Sequence, residues 1–90
     1  MGNFSTFTYH ALFEMKRRGL IKEVVAKVIE NPEQQWETGK GRIVLQSRVP
    51  MNVPERLFLV RVFVDIDRRP PEIVTAYRTS KIEKYWRKEQ

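Results

Sequence analysis

The hydrophobic period of this chain changes once, at Asn31-Pro32, and that change limits the fold more than any other feature. Before it, Ile21, Val24, Val25, Val28 and Ile29 fall at i, i+3, i+4, i+7 and i+8, the apolar stripe of a helix. After it the period is two. From Arg42 to Val49, Ile43, Leu45 and Val49 share one face, and Val44, Gln46 and Arg48 share the other. A helical half followed by a strand half excludes an alternating α/β chain and predicts an α+β domain.

The remaining elements follow from local signals. Residues 1–7 read as a frayed or strand-like lead-in. Thr8 can cap a first helix that carries Leu12 and Met15 on one face and Lys16-Arg17-Arg18 in its last turn, where cations suit the helix dipole. Gly19 supplies its left-handed stop. Gln35-Trp36-Glu37 reads as a short strand, and Thr38-Gly39-Lys40-Gly41 as a tight turn. Leu57 to Ile66 is almost wholly apolar, as a central strand covered on both faces requires. Ile73 to Arg78 is the last strand, and Ile82, Tyr85 and Trp86 suggest a short C-terminal helix. The predicted domain spans 1–90 in two layers: an N-terminal helix hairpin packed on a four-stranded antiparallel sheet, with the short helix at the end.

Alternation also predicts which side chains share a face. An arginine in a central strand is costly on the core side, so Arg61 marks the face opposite the helices. On the last strand, Val74 and Ala76 suit packing under the helices, which leaves Thr75 and Tyr77 beside Arg61. A one-residue bulge would reverse that assignment.

Composition narrows the chemistry. The chain has no cysteine and one histidine, which excludes disulfides, a thiol nucleophile and a His-rich zinc site. Its net charge of +6 favours a polyanionic partner, with solubility alone as the plain alternative. No apolar run approaches a membrane span, and no secretion signal opens the chain, so a cytoplasmic location without membrane association is expected.

His10 is the only side chain that titrates near neutrality unaided; it reads either as a surface histidine at a helix start or as a general acid/base. Asp65 and Asp67 read as turn formers rather than a cation site, and Gly39-Lys40-Gly41 as a hairpin turn rather than a phosphate loop. Arg78-Thr79-Ser80-Lys81 joins a strand end to a helix start, where free N–H groups favour an anion. Lys81, Lys84 and Lys88 line one side of the helix beside Ile82, Tyr85 and Trp86. That mixture suits single-stranded RNA, or equally a charged helix face whose aromatic rings complete the core.

The segments HALFEMKRRGL, IKEVVAKVIENPE, GRIVLQSRV, LFLVRVFVD and VTAYRTSKIEKYW, in that order, resemble a family of small bacterial proteins of unknown function related to the BrnT toxins. These are grouped with the barnase/EndoU/colicin D/RelE-like ribonuclease fold, and the resemblance covers residues 8–88. It implies metal-independent endoribonuclease activity with no cofactor, in which a ribose 2′-OH attacks the adjacent phosphate. The resemblance gives His10 the acid/base role and makes Arg61 and Thr79 the phosphate holders. Lys81 stands beside Thr79, and Tyr77 becomes a candidate for base stacking; Arg78, Lys84 and Tyr85 complete the expected RNA contacts. It implies mRNA or tRNA as substrate, free or on the ribosome, and a cognate antitoxin as partner. The alternative is a non-catalytic RNA- or protein-binding module of the same fold. The two differ in whether His10, Arg61 and Thr79 converge.

Overall fold

The structure, a computed structural model, describes residues 6–88. In chain order the elements are β1 (Thr6–Phe7), α1 (Tyr9–Arg17), α2 (Lys22–Glu30), β2 (Gln34–Gly39), β3 (Arg42–Met51), β4 (Arg56–Asp65), β5 (Glu72–Thr79) and α3 (Ile82–Tyr85). The α+β class is as expected, but the sheet is not four-stranded and antiparallel. It has five strands in the order β1-β5-β4-β3-β2, and β1 runs parallel to β5. Of the frayed or strand-like lead-in read over residues 1–7, Thr6 and Phe7 form this strand and residues 1–5 lie outside the described residues; two residues are too few to show a period that would give their pairing.

The helices start and stop where the chemistry directs. Thr8 Oγ1 accepts a hydrogen bond from the Ala11 amide at 3.1 Å, which caps α1. At the other end Gly19 adopts φ +70°. Its amide donates to the Lys16 carbonyl and the Leu20 amide donates to the Met15 carbonyl, the paired bonds of a Schellman stop. Leu20 then packs with Met15 in the core. The expected helix hairpin holds only in part. The helices are consecutive with a short link, but α1 lies over β5 while α2 lies over β3 and β4, so each packs chiefly on the sheet. Ala11, Met15, Val25 and Val28 meet Leu45, Val60, Val62, Val64, Ile73 and Ala76 there.

One register detail corrects the predicted faces. Val64 pairs with Ile73 and Phe63 pairs with Thr75, so Val74 is an extra residue on β5. Ile73, rather than Val74, therefore joins Ala76 under the helices. Beyond the bulge the alternation holds, and Arg61 stands opposite Tyr77.

The far ends of β3 and β4 are tied by charge. Arg42 Nε and Nη2 donate to the two Asp65 oxygens at 2.6 and 3.2 Å. These bonds hold the Asp65 carboxyl below the usual aspartate range, against the opposing effect of burial. A depressed folded pKa gives stability that is present above about pH 4, the unfolded value, and is lost as pH falls through the folded value. Asp65→Asn is expected to cost about 1 kcal/mol at pH 7, the modest worth of a pair whose arginine stays in water. The gap from wild type should narrow between pH 7 and pH ~3. Urea unfolding at both pH values checks this; a gap that persists unchanged in acid would refute the assignment.

Candidate nucleic-acid interface

The sheet face away from α1 and α2 is built around Arg61. Strand parity places Arg61, Phe63 and Leu59 of β4 on this face, with Val44, Gln46 and Arg48 of β3 and Thr75, Tyr77 and Thr79 of β5. Arg61 is only 9% exposed. Its Nε donates to Gln46 Oε1 and its Nη1 donates to the Tyr77 hydroxyl, both at 2.8 Å. The guanidinium lies 4.3 Å from the centre of the Tyr85 ring, with Phe63 and Tyr77 at 5.3 and 5.9 Å. Phe63 and Tyr77 are stacked, and Tyr85 meets Tyr77 edge-on. Among the described residues no carboxylate pairs with Arg61. A buried guanidinium normally has such a partner; here neutral acceptors and ring faces stand in for it.

The C-terminal segment completes the cage from above. Tyr85 covers Arg61, and its carbonyl accepts from Gln46 Nε2 at 3.2 Å. Gln34 binds the next stretch as another strand would: Nε2 donates to the Arg87 carbonyl at 2.6 Å, and Oε1 accepts from the Arg87 amide at 3.1 Å. Two cation–ring pairs flank it. Arg48 lies 4.2 Å from the Trp86 ring centre, and Arg87 lies 4.3 Å from that of Trp36. Arg48 is also held by both oxygens of Glu33, which lowers the Glu33 pKa. The face is therefore not open. Val44, Gln46 and Leu59 are all buried on it.

The residues singled out from the sequence fall in different places. Tyr77, Tyr85 and Arg61 form one cluster, and Thr79 shares their face through its pairing with Leu59. Thr79 Oγ1 accepts the Lys81 amide at 3.0 Å, a local turn. Lys81 and Lys84 are exposed, with Lys84 5.4 Å from the Tyr85 ring. The last helix, at whose start an anion site was expected, is a single turn of four residues, too short to add an appreciable dipole there. Arg78 points the other way, under the helix layer. Its Nε donates to the Arg18 carbonyl at the end of α1, its Nη1 to Asn52 Oδ1, and its guanidinium lies 4.7 Å above Phe58.

His10 is exposed on α1, in a shallow groove with Tyr9, Leu12, Phe13 and Lys16. Since α1 packs through Ala11 and Met15 on one side of the sheet, the sheet itself stands between His10 and Arg61. Arg61 and Thr79 converge on a face; His10 does not join them.

Three contributors escaped the sequence reading. Gln46 was placed on the correct face by alternation, but nothing marked it as the acceptor for Arg61. Gln34 precedes any strand signal. Arg18 reads as a helix-end cation, yet its guanidinium lies 5.6 Å from the Tyr77 ring and adds a charge to this face.

Charge, fold and this arginine–aromatic face together describe a small basic α+β domain with a cation–ring cluster on one side of its sheet. The chain belongs to the family described as Domain of unknown function (DUF4258), whose model matches residues 7–78, or 72 of the 90 residues. No curated protein and no solved structure matches it. Among the described residues no helix is long and apolar enough to cross a membrane.

Proposed function

We propose that the protein binds single-stranded RNA across the sheet face opposite its helices. The observation that supports this best is the interleaving of cations and rings there: Arg18 with Tyr77, Arg61 and Lys84 with Tyr85, Arg48 with Trp86, Arg87 with Trp36. Bases stack on ring faces and phosphates follow the cations, so one surface serves both parts of an unpaired strand. Binding needs only that face. Cleavage that used His10 with Arg61 and Thr79 would need a helix-layer group to act with groups of the opposite sheet face.

A labelled RNA oligomer titrated in low salt tests the reading. Arg18→Glu combined with Lys84→Glu is expected to weaken binding about ten- to hundredfold and to reduce the salt slope by roughly 0.7 for each phosphate that is no longer neutralised. Binding that is absent in wild type, or indifferent to these substitutions, would remove RNA as the ligand.

One contact favours a second reading. The Arg61 guanidinium and the Tyr77 hydroxyl touch at 2.8 Å, which puts a phosphate-holding cation beside a group that can carry a proton. This is the form in which the likeness to ribonuclease toxins would apply: metal-independent cleavage in the cytoplasm, restrained by a cognate antitoxin, with no part for His10. Induced expression separates the two. Growth arrest and RNA breakage that resist EDTA, persist in His10→Ala and vanish in Tyr77→Phe would favour the enzyme; intact RNA would favour binding alone.

A further inference from the structure

The segment 82–88 lies across Arg61 as a strap, and we propose that it gates the RNA face by hiding that guanidinium until it is lifted. This rests on the RNA reading and adds its regulation. A phosphate oxygen must come within hydrogen-bond distance of a guanidinium to be held by it. Arg61 is 9% exposed because the Tyr85 ring sits 4.3 Å above it, so no strand can reach it while the strap is down.

The way the strap is held suits a reversible closure. No buried residue belongs to α3. Ile82, Tyr85 and Trp86 are only half-buried, and Arg87 and Lys88 are exposed. Its directed attachments include the two Gln34 bonds to the Arg87 backbone, the Gln46 bond to the Tyr85 carbonyl, the Arg48–Trp86 and Arg87–Trp36 stacks, and the Tyr85 ring against Arg61 and Tyr77. Each can be replaced by water or by a nucleotide. A base can take the place of Tyr85 over the cage, and a phosphate oxygen can take the place of a neutral acceptor on Arg61. The groups that hold the strap are thus the groups a nucleotide would use, so strap and RNA compete. The family match ends at Arg78, which puts the strap outside the matched domain and its anchors, Gln34, Trp36 and Gln46, inside it.

Gln34→Ala tests the proposal without changing charge; it removes both bonds to Arg87 and also the 2.7 Å bond from Gln46 Nε2 to Gln34 Oε1, so a second variant that leaves Gln34 and Gln46 in place is needed beside it. Arg87→Pro is the second variant; it removes the amide that donates to Gln34, and Trp86 at φ −72°, ψ 129° already has the backbone that precedes proline. Both are compared with wild type for binding a labelled oligouridylate. Affinity follows the fraction of molecules with the site uncovered, so both variants should bind about tenfold tighter. For Arg87→Pro the gain would come despite a lost cation. Adding Arg61→Gln to Gln34→Ala should erase the gain. Wild type that binds RNA with both variants no tighter would overturn the strap and leave the RNA reading standing. A gain that survives Arg61→Gln would overturn Arg61 as the hidden group. No binding by any of the proteins would overturn the RNA reading itself.

Discussion

Replacing Arg61 with alanine is expected to lower the unfolding free energy by about 2–4 kcal/mol. The substitution removes the centre of a closed cage. Gln46 Oε1 loses its donor in a side chain with no exposed surface, and the Tyr77 hydroxyl loses one as well. A buried acceptor left unmatched costs roughly 1–3 kcal/mol, and the space among Phe63, Tyr77 and Tyr85 adds a cavity term. Arg61→Lys should recover little, because an ammonium cannot donate in two fixed directions while lying flat against a ring. Urea unfolding followed by tryptophan fluorescence measures both. A loss below about 0.5 kcal/mol for alanine, the scale of an ordinary surface substitution, would mean that the cage is not closed in solution.

The second large effect concerns the same face. Leu59→Ala should cost about 2–4 kcal/mol, the range for truncating a buried leucine. Leu59 has no exposed surface, yet it lies on the side away from the helices, opposite Arg48, whose guanidinium stacks on Trp86. If the C-terminal segment did not cover this side, Leu59 would sit in water and its truncation would cost well under ~1 kcal/mol. The size of the loss therefore reports whether the domain has packed side chains on both faces of its sheet.

Much of the architecture was legible because it rests on periodicity. The stripe from Val24 to Ile29, the alternation from Arg42 and the stop at Gly19 are local signals that the structure uses, whereas Ile21 falls at the N-cap of α2 and is exposed. The strand-like reading of the lead-in holds at Thr6–Phe7, but its parallel pairing with Glu72 and Ile73 was not legible, since that is decided by tertiary contact. The bulge at Val74 reversed one inward assignment for the same reason: an added residue leaves no trace in an apolar run. Within the candidate site, Arg61 stood out because a charge in a central strand demands an explanation, and its face followed from that. The Gln34 clamp could not be foreseen. A glutamine that satisfies the backbone of a segment 53 residues away looks, in sequence, like any polar residue at a strand start. His10 drew attention for its chemistry, but titration range says nothing about which side of a sheet a helix will occupy.

The sheet's margins carry a consequence for how the protein behaves in company. At one margin β1 offers, among the described residues, two residues of backbone; at the other, the register of β2 breaks between Glu37 and Gly39, and the exposed Glu37 carboxylate stands beside the break. A strand from another molecule seeking to extend this sheet finds a template too short on one side, and on the other a kinked and charged one. A chain so rich in strand-forming residues between Arg42 and Asp65 would otherwise be an open invitation to edge-to-edge assembly. Blunted margins of this kind disfavour the addition of a further strand at those two places.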